Sequence, residues 1–372
     1  MSELLEVLDA VRSFRDAGEA LALATIVDVR GSTYRRPGAR LVVTRRGDLV
    51  GNLSGGCLEG EVADVARAVM EDGRPRLASF DLTADDEAVW GWGLGCNGAF
   101  EVFVEPAEPA AAVGEAIRSA MEAERPLAIV TVIESADDGV PAGARVLVGT
   151  EGSAEGSLGN RDADGGAASA AREALAAGRS EIRALPSPAG GMRAFVEVVE
   201  PPLRLLVCGA GHDAIPLVRF AASLGWRVDV VDDRDAFLAS ERFPEARAFV
   251  YVERPEEAAR ASGADARTYV VVMTHNYLRD RGYLRAFLES DVAYLGMLGP
   301  RRRLERLLGD LRDEGVLAAG EPPDRLHGPA GLDVGAEGPE EIAWAIVGEV
   351  LAVRRGRAGG FLRDRSSPIH QR

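Results

Sequence analysis

Residues 38–74 and 143–179 are two versions of one unit, which obliges the chain to build the same small structure twice. A shift of 105 lays Gly38-Ala39-Arg40 on Gly143-Ala144-Arg145, Gly47 on Gly152, Gly51 on Gly156 and Leu53 on Leu158. Gly60, Ala63, Ala66, Arg67 and Gly73-Arg74 then meet Gly165, Ala168, Ala171, Arg172 and Gly178-Arg179. At a shift of 95, Ala99-Phe100 meets Ala194-Phe195 and Val104-Glu105-Pro106 meets Val199-Glu200-Pro201. This alignment makes the second copy ten residues shorter, without a counterpart of Asp81–Cys96 (DLTADDEAVWGWGLGC), and sets Asp162 where Cys57 stands. Both copies keep the scaffold and one keeps the cysteines, so the chemistry is expected in the first.

The 372 residues suffice for two or three domains. A formal net charge of −16 disfavours nucleic acid and anionic membrane as partners. All 43 basic residues are arginine. That excludes a Walker P-loop, a Schiff-base lysine and a Ser-Lys dyad. No apolar run reaches membrane-spanning length, and MSELLEVLDAVRSF is an amphipathic helix with early acids rather than a signal peptide. Three cysteines without a secretory signal point to a reducing cytoplasm.

The expected class is α/β: a C-terminal Rossmann-type doubly wound parallel sheet preceded by an internally duplicated α+β domain. The duplicated domain spans 1–200, as copies of about 1–106 and 107–200, and the Rossmann-type domain spans 203–372. Each copy reads helix, strand, hairpin, helix, strand, strand. In the first, a helix at about 3–17 precedes strands at 21–29, 40–44 and 48–53, a helix at 57–72 closed by Gly73, and strands at 76–82 and 100–104. The second repeats this from about 111 to 200, with a short, loopy hairpin in the Gly-, Ser- and Asp-rich 151–166. Pro201-Pro202 stiffens the link. Thereafter strands at about 204–208, 227–231, 248–251, 268–273 and 292–297 alternate with helices, the grammar of βαβ units.

In that second half, LLVCGAGHDA at 205–214 is strand, G-x-G-x-x-A, helix. Gly209 permits the tight turn, Gly211 lets a phosphate approach the backbone, and Ala214 is the small residue where helix packs on strand. Asp232 ends the next strand, where an acid can bond a ribose, and Arg234 nearby would instead admit a 2′-phosphate. The order of strands makes the first and fourth neighbours at the switch point, so His212 and His275 should converge on one crevice. Pro300 followed by Arg301, Arg302 and Arg303 is an anion-site pattern at a helix start. Residues 326–335 read as a glycine-punctuated loop.

Cys57 follows Ser54-Gly55-Gly56 and opens a helix, a position that lowers a thiol pKa. Cys96 sits in GLGCNG, with Trp90 and Trp92 offering flat apolar surface. Cys208, in a central strand, belongs to the core. The spacing is wrong for a zinc ribbon; soft thiolates without histidine suit a sulfur-ligated metal centre or the carriage of sulfur.

These segments resemble the XdhC/CoxI (CoxF-like) family, accessory factors of molybdenum hydroxylases such as xanthine dehydrogenase. The resemblance rests on GSTYRRPGAR at 31–40, SGGCLEG at 54–60, GLGCNG at 93–98, CGAGHDA at 208–214 and VVDDR at 230–234. It continues through MTHNYLRD at 273–280, YLGMLGPRRR at 294–303 and PAGLDVGAEGPEEIA at 329–343. It implies a protein that binds molybdenum cofactor (molybdopterin), protects it during sulfuration and passes it to an apo-hydroxylase, of the xanthine or CO dehydrogenase type. Carried onto this chain, Cys57 and Cys96 handle the cofactor, as possible thiolate contacts to molybdenum, with Gly55, Gly56, Glu59, Arg35 and Arg36 beside them. The resemblance further implies a cysteine desulfurase partner and a homodimer. The second site, drawn from Gly209, Gly211, His212, Asp232, His275 and Arg301, is left with a pterin phosphate, a nucleotide-conjugated pterin, NAD or NADP. The alternatives to an accessory factor are an NAD(P)-dependent oxidoreductase, with His212 or His275 as general acid, and a protein that scaffolds a hydroxylase complex.

Overall fold

The computed structural model describes residues 2–56, 58–81, 97–187, 190–318 and 320–366. They fall into two units, Met1–Pro201 and Pro202–Arg372.

The first unit is two five-stranded antiparallel sheets of one design. In the first copy, helix α1 (Ser2–Asp16) precedes β1 (Leu21–Ser32), β2 (Arg40–Thr44), β3 (Leu49–Gly51), α2 (Glu59–Asp72), β4 (Arg76–Asp81) and β5 (Asn97–Pro106). The second copy supplies α3 (Ala107–Glu122), β6 (Leu127–Glu134), β7 (Arg145–Gly149), β8 (Ala154–Ser157), α4 (Arg161–Ala177), β9 (Glu181–Leu185) and β10 (Met192–Val199). The strand orders correspond: β3-β2-β1-β5-β4 and β8-β7-β6-β10-β9. Alternation along β1 divides the apolar side chains between two faces. Ala22, Ala24 and Ile26 meet Val62, Ala66 and Val69 of α2. Leu21 and Leu23 face the other way, toward Val7 and Val11 of α1. Helices α1 and α3 pack together through Leu8, Ile117 and Met121, and Gly114 allows the approach, since a Cβ there would stand 3.3 Å from Leu8.

The two sheets meet through Val27, Phe103, Ile133 and Phe195. Beside this apolar contact lies a reciprocal pair of ion pairs. Arg40 of the first copy reaches Glu197 of the second at 2.6 Å, and Arg145 of the second reaches Glu105 of the first at 2.7 Å. The arginines are equivalent: Arg40 pairs with Thr25 across β1 and β2, Arg145 with Thr131 across β6 and β7. The glutamates are equivalent as well, because Phe103 pairs with Thr25 and Phe195 with Thr131, two residues before Glu105 and Glu197. Burial pushes the Glu105 carboxyl up, with Arg145 pulling against it.

This register corrects the alignment of the last strand. Leu77 pairs with Phe103, and Ile182 with Phe195, so β5 maps on β10 at a shift of 92 rather than 95. The second copy is therefore 13 residues shorter, by 105 less 92, and not ten. A slip of three is odd and reverses the faces of a strand. Phe100 accordingly packs toward α2, and it is Phe103 that shares the inter-sheet contact with Phe195.

The second unit is a six-stranded parallel sheet. Its strands are β11 (Arg204–Cys208), β12 (Arg227–Asp232), β13 (Ala248–Tyr251), β14 (Thr268–Val272), β15 (Tyr294–Met297) and β16 (Leu326–His327). They lie in the order β13-β12-β11-β14-β15-β16, the doubly wound arrangement with its switch point between β11 and β14. Helices α5 (Ala214–Ser223) and α9 (Gly338–Arg354) cover one face. Helices α6 (Ala258–Ser262), α7 (Tyr277–Leu288) and α8 (Arg301–Asp313) cover the other. Cys208 is fully buried among them and its thiol is pushed well up by burial. The segment read as a loop from 326 begins with a strand: Leu326 and His327 pair with Leu295 and Gly296.

Removing one member of a buried ion pair leaves a charge without a partner, at a cost of about 3–5 kcal/mol. Arg40→Met should therefore lower the stability of the first unit by that amount in urea unfolding. Arg40→Met combined with Glu197→Leu should recover most of it. A double variant as unstable as the sum of the singles would show that the pair is not coupled.

Candidate functional site

The first candidate lies at one end of the first sheet. Ser32 pairs with Asn97 and Gly31 with Gly98, while Gly51 of β3 pairs with Leu41 at the start of β2. Register thus brings three segments out at the same end: 33–39 after β1, 52–56 after β3, and the beginning of β5. Cys57, and residues 82–96 with Trp90, Trp92 and Cys96, lie outside the described residues. Of their described neighbours, Gly56 and Asn97 belong to these segments, and Leu58 lies just beyond the second.

Glu59 builds the second segment. Its carboxylate accepts hydrogen bonds from the amides of Leu53 (3.2 Å), Ser54 (3.0 Å), Gly56 (3.0 Å) and Leu58 (3.1 Å) and from the Ser54 hydroxyl (2.8 Å). Burial raises its pKa, but the Ser54 hydroxyl and the amides outweigh this and hold it below the usual carboxylate range. The second copy has the same device: Asp164, 105 residues on, accepts from the Leu158 amide at 2.6 Å and the Ser157 hydroxyl at 2.8 Å. Glu59 is thus a brace that both copies use.

What differs is the pair of residues after the braced turn, Gly55 and Gly56 in the first copy and Asn160 and Arg161 in the second. Gly55 and Gly56 have φ of +83° and +117°, and a Cβ on either would meet no described atom within 4 Å. In the second copy Gly159, aligned with Ser54, lies against the Gly139 carbonyl, and Asn160, aligned with Gly55, accepts a 2.8 Å bond from the Ala163 amide at the start of α4. Asp162, aligned with Cys57, is exposed in the first turn of α4. Arg35 pairs with Glu3 of α1 at 2.8 Å. The Arg36 Nε is buried and has no hydrogen-bond partner among the described residues.

The second candidate is the switch-point crevice of the second unit. Gly209 has φ +113°, and a Cβ there would stand 2.9 Å from the Met273 backbone, so the turn passes β14 too closely for a side chain. A Cβ on Gly211 would meet nothing within 4 Å among the described residues, leaving its side of the turn open. His275 has φ +58° and bonds Asp213 at 2.8 Å through Nε2. His212 is exposed. The crevice therefore joins His275 to the neighbour of His212 rather than pairing the two histidines.

Asp232 is 1% exposed, and its carboxylate accepts from the Ala210 amide, the Arg234 amide and the Arg234 guanidinium. Burial raises its pKa, and the Arg234 and Ala210 bonds more than offset that, leaving it low. Arg301 does not turn toward the crevice. Its side chain is 81% exposed and pairs with Glu305 one helical turn on, where solvation favours a long cation. Arg303 turns inward to the fully buried Asp280 instead, and Asp280 also accepts from the Thr274 hydroxyl at 2.5 Å.

Sequence reasoning missed Asp213, Arg242 and the arrangement around Glu349. Asp213 stood in view inside GAGHDA. Arg242 carries no motif, and only the fold brings it to the Ala210 carbonyl, at 2.8 Å. Glu349 joins the Tyr294 hydroxyl (2.5 Å) to His327 (3.3 Å) from three separate elements.

The comparisons with known proteins agree with both halves. Residues 205–350 match the XdhC Rossmann domain, and residues 14–81 and 120–185 match the XdhC and CoxI family. A Bacillus subtilis protein, named as a probable subunit of xanthine dehydrogenase, is 32% identical over 95% of this chain and 98% of its own length. The chain belongs to the XdhC and CoxI family. A more distant relative, the Escherichia coli molybdenum cofactor insertion chaperone PaoD, is 22% identical over 91% of the chain and 85% of its own. A solved Bacillus halodurans structure described as a xanthine dehydrogenase superposes with a TM-score of 0.74 at 28% identity, covering 98% of each chain.

The two glycines of the turn should respond differently to a methyl group. Gly209→Ala meets backbone at an unfavourable φ and should destabilise the second unit by about 1–3 kcal/mol. Gly211→Ala should stay within about 1 kcal/mol of the parent. Thermal unfolding of both variants checks this, and equal losses would contradict the close approach to Met273.

Proposed function

We propose that the chain is a maturation factor for a molybdenum hydroxylase of the xanthine dehydrogenase type. It holds molybdenum cofactor at the loops of its first copy, and its second unit binds a dinucleotide. The observation that carries this reading is the asymmetry of two copies sharing one frame. Loops braced by equivalent carboxylates carry Gly55 and Gly56 in one copy, where a Cβ would meet no described atom within 4 Å, and Asn160 and Arg161 at the same places in the other. The glycines leave the first copy without side-chain bulk at the two places that the second copy fills with Asn160 and Arg161. The name of the relative PaoD supports the cargo.

The residues suit such a guest. Glycines without bulk admit a flat heterocycle to the backbone. Arg36 offers a buried donor to an anionic group. Thiolates at Cys57 and Cys96 are soft ligands for a molybdenum–sulfur centre. When bound, the cofactor brings the redox-active molybdenum of the client hydroxylase. The chain's own part is to hold it, keep water away and release it. Arg35 and Glu59 serve by fixing the loops, through Glu3 and through the amides of 53–58. A cysteine desulfurase acts on the held cofactor, and the chain works as a homodimer in the cytoplasm. In the second unit, amides at the start of α5 and the open side of Gly211 receive the phosphates of NAD or NADP.

The test is molybdenum and pterin content of the full chain purified from a molybdenum-replete host. Cys57→Ala and Cys96→Ala should each lower retention about tenfold or more, with unchanged circular dichroism. Full retention in both variants would remove the cysteines from cofactor handling.

A further inference from the structure

We infer that the second unit selects an adenine dinucleotide carrying a 2′-phosphate over one with a free ribose diol. This rests on the dinucleotide reading above and adds what the second-strand end of the crevice recognises.

A diol is read by an acid at the end of the second strand with an acceptor to spare. Asp232 has none. Its two oxygens accept from the Ala210 amide at 2.5 Å, the Arg234 amide at 2.9 Å, and Nε and Nη2 of Arg234 at 2.8 Å each. Four donors fill the lone pairs of one carboxylate, and the residue is 1% exposed. Asp233 is turned to Arg279 at 2.8 Å through one oxygen; its other oxygen has no hydrogen-bond partner among the described residues but is buried, out of a ligand's reach.

Cations stand where the acid is withdrawn. The Arg234 guanidinium lies 4.0 Å over the Phe237 ring, and the Arg242 guanidinium 4.9 Å from the same ring, so one aromatic plane aligns two forks. Among the described residues Arg242 donates only to the carbonyls of Ala210 (2.8 Å) and Phe237 (2.9 Å). Among the described residues no carboxylate lies within ion-pair distance of it. Its charge is therefore uncompensated, and the bond to Ala210 anchors it on the glycine turn itself. Beyond the pyrophosphate, the group that a guanidinium fork at this place suits is a second phosphate, with a charge of about −1.5 to −2. The pinned Arg234 keeps Asp232 from repelling it.

Isothermal titration of the full chain with NADP, NAD and 2′,5′-ADP tests the inference. One charge-assisted bond corresponds to about 10- to 100-fold in affinity, so NADP should bind tighter than NAD by that factor, with 2′,5′-ADP retaining much of it. Arg242→Gln keeps amide donors for the two carbonyls but removes the charge, and should bring the NADP-to-NAD ratio near one. Arg234→Ala frees Asp232 for the diol and should turn the preference toward NAD. NAD bound as well as or better than NADP by the parent chain would overturn the inference while leaving the dinucleotide reading intact. Binding of neither nucleotide by a folded chain would overturn both.

Discussion

Two arginine–glutamate pairs, each crossing from one copy to the other, hold the first unit in its form. Burying four charges is expensive, and attraction offsets it only where geometry and further hydrogen bonds are good. The pseudo-symmetry supplies the ion pair twice, though the Arg40 Nε stays buried without a partner among the described residues. Arg40 also donates to the Gly38 carbonyl, and Arg145 to the Thr131 hydroxyl. The contact is the self-complementary kind seen in twofold dimers, here within one chain. It fixes which faces of the sheets meet and leaves their helix-covered faces to α2 and α4. With the frame secured by both copies, the loops at one end of the first sheet are relieved of structural duty.

The same solution recurs in the second unit. Three buried aspartates are held by arginine forks: Asp229 by Arg204 and Arg247, Asp232 by Arg234, and Asp280 by Arg303. A chain without lysine has only planar, permanently charged guanidinium for this task, and a fork satisfies a carboxylate better than an ammonium does. Held this way, the Asp232 carboxylate has its hydrogen-bonding places taken by the Ala210 amide and by Arg234.

Much of this was legible in the sequence. The repeat at 105 marked Arg40 and Arg145 as equivalent, and Gly209 with Gly211 marked the turn, because glycine signals depend on local backbone geometry. Strands 40–44, 204–208 and 248–251 follow directly from local pattern. The partners of Arg40 and Arg145 were not legible. The best local match of the last strand lies three residues from its true register, which is set by pairing with β1 and β6 across long stretches of chain. The choice among Arg301, Arg302 and Arg303 was equally hidden, since only the packed helix shows that Asp280 lies beneath the third. Arg242 reaches Ala210 across 32 residues and no spacing rule announces it.

The central claim is that the chain carries molybdenum cofactor to a hydroxylase, and native mass spectrometry of the transfer tests it most directly. The full chain, purified from a molybdenum-replete host, is weighed before and after mixing with a molybdenum hydroxylase lacking its cofactor. The account predicts a mass of bound molybdenum cofactor on the chain at first, its loss on mixing, and a matching gain in mass and activity by the hydroxylase. A chain that carries no such mass, or keeps it while the hydroxylase stays empty, would contradict the account.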